Sequence, residues 1–175
     1  MPLRNISVIL AVLCVTALCL AQPASAKRKI VRTSVTEAQA CFDKALTDAK
    51  TGATPAVMIK NYLDINQVAG HAFFVQGLGI WSDLSKIEKA PYLANVRAYL
   101  RENQSFDDVK LDSVTTIPAR AKQNGETIEL PGAFRDANNT PHTFGVLIVA
   151  HSKQCFFIDA RWDDAWLSTH ISISN

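Results

Sequence analysis

The residues of this 175-residue chain that could do chemistry are few and scattered. There are four histidines, His71, His142, His151 and His170. No two stand at the i, i+4 spacing that puts both rings on one helical face, as a helical zinc site does. A mixed site with Cys41 or Cys155 would need three or four converging ligands. No metal and no other cofactor is therefore expected. Asp107-Asp108 and Asp163-Asp164 are paired carboxylates. Neighbours in a strand or turn point apart, whereas an acid–base dyad needs two carboxyls that face each other. They read as solvated turn residues. No Gly-x-Ser-x-Gly elbow supplies a nucleophile. Gly77-Leu78-Gly79 lacks the third glycine and the preceding strand of a phosphate loop. His71, in an apolar helical stretch, is the best single candidate for an acid–base group, and equally a hydrogen-bonded core histidine. The expectation is a protein that is not an enzyme.

Two of the four cysteines, Cys14 and Cys19, lie in the opening MPLRNISVILAVLCVTALCLAQPASA. Arg4 supplies a positive start, and Ile6 to Leu20 an apolar run short of the ~20 residues a membrane span needs. Ala24-Ser25-Ala26 is the small-x-small pattern of a cleavage site. Residues 1–26 thus read as a signal peptide, and 27–175 as one exported domain starting at Lys27. Cys41 and Cys155 remain, and an even pair in an exported chain suggests a disulfide; two separately buried thiols are the alternative. The formal charge is +2. The one basic cluster, Lys27-Arg28-Lys29 with Arg32, reads as a solvated tail. No nucleic-acid partner is expected, since that calls for a clustered basic face.

The elements that must position these groups come in two blocks. Ser34-Val35-Thr36-Glu37 is a capping box, followed by Val35, Ala38, Phe42, Ala45, Leu46 and Ala49 at helical spacing and a stop at Gly52. Thr54-Pro55 starts a short second helix. Asp64 starts a third, ended by Gly77 and Gly79. Ser85-Lys86-Ile87-Glu88 caps a fourth, which Pro91 should kink or restart. After Gln104, Val109, Leu111, Val114 and Ile117 look like strand material. Asn124-Gly125 is a hairpin signal, Pro131-Gly132 suggests an edge or bulge, and Asn138-Asn139 a second turn. The run Val146-Leu147-Ile148-Val149 suggests a strand covered on both faces, and Cys155 to Trp162 another strand. Helices first and strands second mean α+β: an N-terminal helical layer packed on a curved, mainly antiparallel β-sheet.

Apolar and aromatic residues stand out in both blocks. Many must fill an ordinary core at crystal-like density. A helical layer over a sheet can also enclose a ligand cavity. The segment Tyr62–Glu102 reads as the helical wall of such a pocket, with Phe73, Phe74, Leu78, Trp81, Tyr92 and Val96. Phe144, Val146 and Phe157 would supply the sheet side.

Asp64 near a helix start, Leu78-Gly79 close before Trp81, Tyr92 and Val96 on the next helix, and Phe156-Phe157-Ile158-Asp159 in a late strand carry a resemblance. In this order of elements the chain resembles the MlaC-type periplasmic proteins, the lipid-binding auxiliary component of an ABC-linked phospholipid transport system. It departs from them in the shorter Gly79-Ile80-Trp81 spacing, in Ser82 where the family has arginine, and in Cys155 where tryptophan is frequent. These departures imply a smaller or different pocket. The resemblance implies a periplasmic protein that binds a phospholipid or another acyl-chain lipid. It would shuttle that lipid between an inner-membrane ABC transporter complex and an outer-membrane lipid complex. Two other functions fit the same pattern: a small pocket enzyme using His71, and an envelope protein–protein adaptor with a solid core.

Overall fold

Local signals build the helical half. In the computed structural model, residues 32–102, 108–151 and 154–171 are described; the expected leader, Lys27-Arg28-Lys29 and Asp107 lie outside them. Helix α1, Val35–Lys50, begins at a complete capping box. The Glu37 backbone N–H donates to Ser34 Oγ at 3.2 Å, and the Ser34 N–H to the Glu37 carboxylate at 2.8 Å. Helix α2, Pro55–Tyr62, is capped by Thr54 with proline in its first turn. Helix α3, Ile65–Val75, starts where the Asp64 carboxylate accepts from the N–H groups of Asn66 and Gln67. It ends before Gly77, whose φ of +71° a residue with a Cβ rarely adopts. A 3-10 turn at Trp81–Asp83 leads to α4, Lys86–Glu102, which opens on the Ser85/Glu88 capping box.

Helix α4 does not restart at Pro91. Proline removes the donor for the Ile87 carbonyl, but Ile87 and Pro91 are both exposed, so water can serve that carbonyl.

Six strands form one open antiparallel sheet: β1 Thr115–Thr116, β2 Lys122–Asn124, β3 Thr127–Arg135, β4 Pro141–His151, β5 Gln154–Trp162 and β6 Ala165–Trp166. Their order is β1-β3-β4-β5-β6, with β2 also paired to β3. A short helix α5, Leu167–His170, follows. The class is α+β. The Asn124-Gly125 hairpin and the Asn138-Asn139 turn are where the sequence puts them, with Gly125 and Asn139 at positive φ.

One strand expectation changes and another is met in part. The stretch 109–117 contains a 3-10 turn, Leu111–Ser113, and only the two residues of β1 as strand. Val109, Leu111 and Val114 line a pocket instead of alternating across a sheet. Pro131-Gly132 makes no bulge, since β3 pairs with β4 in unbroken register through it, but Pro131 does meet a local edge, with no strand partner on its other side. The Pro131 carbonyl accepts from Ile117, so its donorless nitrogen faces the same side, in the break between β2 and β1. No ladder bond is lost there.

The apolar residues separate into three groups. Val68, Ala69, Ala72, Phe73, Val96, Leu100 and Ile171 form a core between α3, α4 and the C-terminal segment. Ala38, Cys41, Phe42, Ile128, Leu130, Val146 and Ile148 form another between α1 and the sheet. Leu147, Val149 and Ile158 make a smaller group on the opposite sheet face. The run Val146–Val149 is therefore buried on both faces.

Candidate functional site

Helix α1 packs against β3, β4 and β5, and Cys41 and Cys155 are joined by a disulfide that ties α1 to β5. Beside that tie lies a pocket of about 590 Å3. Its helical wall is the inner stripe of α1, namely Phe42, Ala45, Leu46 and Ala49, with Met58 of α2 and Tyr99 and Leu100 of α4. The sheet wall is Phe134, Phe144, Val146, Phe157 and Ala160, and Val109, Leu111 and Val114 close a side. Apart from Tyr99, Arg161 and His170, every lining residue is apolar. The exposed lining residues, Trp162 at the end of β5, Ala165 at the start of β6 and His170 in α5, mark the mouth.

A β-bulge sets the sheet wall. Ile148 pairs with Phe157 and Leu147 with Asp159, which leaves Ile158 without a partner. The extra residue shifts the alternation. Phe157, Ala160 and Trp162 therefore share the pocket face with Val146 and Phe144, while Asp159 goes with Leu147 to the other. The rings form a chain of neighbours: Trp162–Phe134 at 4.5 Å, Phe134–Phe144 at 6.3 Å, Phe144–Phe42 at 5.5 Å, Phe42–Phe157 at 6.2 Å. A Cβ on Gly132 would lie well under 3.0 Å from the Phe144 ring and the Thr115 carbonyl. Glycine there is what lets Phe144 lie flat on β3.

Charges stay at the margins. Arg161 pairs with Gly145 in register, and its guanidinium lies where a Gly145 Cβ would point, beside Glu129. It makes a 3.6 Å ion pair with Glu129, donates to the Asp163 carbonyl and sits over Trp166. Its cation is therefore committed away from the pocket interior. At the mouth His142 bridges two carboxylates, Nδ1 lying 3.1 Å from Asp163 and Nε2 3.5 Å from Asp136. Its ring stacks on Phe134 and lies 5.4 Å from Trp162. The Asp163 hydrogen bond, with Asp136 adding and burial opposing, raises the His142 pKa above its ordinary value. Asp163 is held below its ordinary range by the Thr143 N–H and then by His142. Burial works against ionisation of Asp136, but the Thr140 N–H and His142 outweigh it and lower its pKa. Asp163 is thus a bonded turn residue at φ +49°, not a merely solvated one.

His71 does not line the pocket. Its Nε2 lies 3.2 Å from the buried Asp159 carboxylate. That carboxylate also accepts from Ser168 Oγ at 2.6 Å, the Ser168 N–H at 3.0 Å and the Ala160 N–H at 2.8 Å. Gln76 donates to the carbonyls of Ser168 and Ile171. These bonds fasten α5, which carries the lining residues Leu167 and His170, to α3 and β5. Aspartate sits between serine and histidine here, so nothing aligns the imidazole to take the serine proton. Among the described residues no three His, Cys, Asp or Glu side chains converge as a metal site requires, and no helix is long and apolar enough to cross a membrane.

Of the residues expected at the site, Phe144, Val146 and Phe157 line the pocket. Phe73, Trp81, Tyr92 and Val96 instead interlock in the α3–α4 core, with Phe73–Tyr92 at 5.2 Å and Phe73–Trp81 at 5.7 Å. Gly70 gives Trp81 room to close on α3. Phe74 and Leu78 are 71% and 49% exposed and are not part of the pocket lining. Of the segment 62–102, only Tyr99 and Leu100 reach the pocket. The helical wall is α1, whose alanines at 45 and 49 were the available signal: small residues on an apolar stripe leave space.

No family model, curated protein or solved structure matches the chain.

Proposed function

We propose that this protein binds an acyl-chain lipid non-enzymatically in the pocket between α1 and the sheet, with the polar head left at the mouth. The observation that carries this is the pocket itself: about 590 Å3, lined almost wholly by aliphatic and aromatic side chains. Ligand sites are ~300–1,000 Å3, mostly apolar, with a few polar groups to orient the ligand. Here His170 is at one end, beside exposed Trp162. An aromatic side chain at a wet boundary suits the junction of chain and head. At ~0.8 kcal/mol per buried methylene, a chain of about fourteen buried methylenes gains roughly 11 kcal/mol. That is of the size of the ~4–15 kcal/mol lost on association, so reversible binding is the expected regime, which suits a carrier.

An exported location fits the disulfide, because such bonds persist in oxidising compartments such as the periplasm. Shuttling between an inner-membrane ABC transporter complex and an outer-membrane complex rests on the resemblance of Asp64, Leu78-Gly79, Trp81, Tyr92 and Val96 to the MlaC-type proteins. In this chain those residues cap and fill the α3–α4 core.

Native mass spectrometry of protein purified without detergent, with organic extraction of the same sample, is the test. Bound acyl lipid is the expected result. An apo mass with no acyl lipid in the extract sinks the proposal.

A further inference from the structure

Resting on that reading, we propose that the end of α3 and the loop after it form a docking surface for a lipid bilayer, beside the pocket mouth. The observation is a run of large apolar side chains turned to solvent. Phe74 and Val75 are exposed at the end of α3, and Leu78 and Ile80 continue the run, Ile80 being 63% exposed. Apolar residues scattered singly are ordinary on a surface, whereas a grouped set marks an interaction site. The neighbouring core does not need these four. Phe73, Trp81 and Tyr92 close on one another without them.

The chemistry of the run selects a bilayer. From Ala72 to Ser82 no side chain is charged. The backbone closes on itself in a Schellman turn: the Gly77 N–H donates to the Phe74 carbonyl and the Leu78 N–H to the Phe73 carbonyl. The one side-chain amide, Gln76, is bonded to the carbonyls of Ser168 and Ile171. A protein partner is recognised through hydrogen bonds and charges at a polar rim, and this run presents few. Apolar side chains on a closed turn can instead enter the boundary between head groups and acyl chains, where unpaired backbone groups are costly. The next charges along the chain suit phosphate head groups. Glu88 takes the Ser85 N–H in its capping box, and Asp83 takes the Ser82 hydroxyl. Lys86 and Lys89 supply the cations, with Lys89 Nζ 5.4 Å from the centre of the Trp81 ring.

Position ties this surface to the pocket. His71 of α3 meets Asp159, which also bonds Ser168 of α5. Phe74 and Val75 follow His71 at i+3 and i+4, on that same side of the helix. The two carbonyls that Gln76 holds belong to α5 and its C-terminal cap. That helix is about 6 Å long and carries His170 of the mouth. A bilayer seated on the run therefore lies next to the opening through which an acyl chain would pass.

The test is flotation of the protein in its exported form, beginning at Lys27, with vesicles of phosphatidylcholine alone and of an equal mixture with phosphatidylglycerol. Binding of cis-parinaric acid, a fluorescent acyl chain, is read without vesicles. Wild type should float with both, and more with the mixture. Phe74→Ser/Leu78→Ser/Ile80→Ser should weaken vesicle binding at least about hundredfold, at about tenfold for each of two such side chains buried, and leave cis-parinaric acid binding unchanged. If that variant does not fold, Phe74→Ser alone should weaken it about tenfold. Lys86→Glu should reduce only the preference for phosphatidylglycerol. Failure of wild type to float, or flotation that the apolar substitutions leave unchanged, overturns the proposal and leaves acyl-chain binding intact. A wild-type dimer that the triple variant breaks, with no flotation, also overturns it and assigns the run to a second copy of this chain. Flotation weakened by the substitutions in a protein that takes up no cis-parinaric acid supports the docking surface and overturns the acyl-lipid reading instead.

Discussion

Removing the Cys41–Cys155 bridge should be the largest single perturbation available in this fold. The two cysteines are 114 residues apart in sequence. In the chain-entropy model, opening a loop of that length costs about 5 kcal/mol of stability at 25 °C. Typical domains have only ~5–15 kcal/mol in all. A unit spanning Val31–Asn175 has an unfolding entropy near 0.3 kcal/mol per degree on per-residue averages, so the loss converts to a drop in Tm of roughly 15 °C. The effect should also be local. Cys41 adjoins Phe42, and Cys155 lies two residues before Phe157, both in the pocket wall. Cys41→Ala/Cys155→Ala, and wild type in reductant, should therefore both lose apolar-probe affinity at temperatures where each is still folded. The assay is thermal unfolding by circular dichroism, oxidised against reduced, with thiol titration of the native protein. Two free thiols in protein from an oxidising compartment would refute the reasoning at its root. A Tm change under about 3 °C on reduction would show that the loop argument does not govern this fold.

Three more outcomes follow from particular contacts. Gly132→Ala drives a methyl into the Phe144 ring and the Thr115 carbonyl; a loss of ~1–3 kcal/mol is expected from overpacking, with weaker probe binding, and unchanged urea unfolding would discount the contact. Ser168→Ala removes a hydroxyl bonded to the buried Asp159 carboxylate; hydrogen exchange should speed up across 167–171, with a loss of ~1.5–3 kcal/mol, and unaltered exchange there would show that α5 is held by something else. The His142 bridge predicts a pH window. Its raised pKa means a stabilising contribution fully present below the ordinary 6.5 and lost as pH rises through the raised value, while the lowered Asp136 and Asp163 contribute above the ordinary 3.8 and fade as pH falls through their folded values. Tm should thus be flattest between about pH 4 and 6.5, and His142→Gln should flatten the alkaline limb; parallel wild-type and variant curves across pH 6–9 would rule the bridge out as its source.

Much of the scaffold is legible because its signals are local. Ser34 with Glu37 and Ser85 with Glu88 close capping boxes that need only one turn of chain. Asn124-Gly125 fixes a hairpin by backbone preference alone. The pair Cys41 and Cys155 is legible because two cysteines remain once the expected leader is set aside. The site is less so, because pocket and core use the same side chains. Phe73 and Phe42 are indistinguishable in sequence, yet Phe73 packs against Trp81 and Tyr92 away from the pocket while Phe42, stacked on Phe144, also lines it. The bulge at Ile158 lies within an apolar run, so nothing marks where alternation shifts and brings Ala160 and Trp162 into the wall. The His142 bridge draws its acids from the end of β3 and from the β5–β6 turn, a meeting that only sheet register creates.

The contrast between the two apolar halves explains why there is a pocket at all. Between α3 and α4 the glycine at 70 lets Trp81 close on the helix, and three rings interlock edge to face. That half fills itself. Helix α1 meets the sheet differently. At its Cys41 end, Phe42 stands against Phe144 and Phe157 like a spacer, and the disulfide fixes the spacing. One and two turns on, the stripe carries Ala45 and Ala49 beside Leu46, and small Ala160 is in the sheet wall. Large residues hold the layers apart at one end, and small ones leave the gap behind them unfilled. The pocket of about 590 Å3 opens at one end, and its walls are braced from outside it. The bracing is visible: the disulfide at one end, Gly132 beneath Phe144, and the Asp159–Ser168 and Gln76 bonds that pin α5 at the other. None of these groups needs to touch a ligand for the pocket to depend on it.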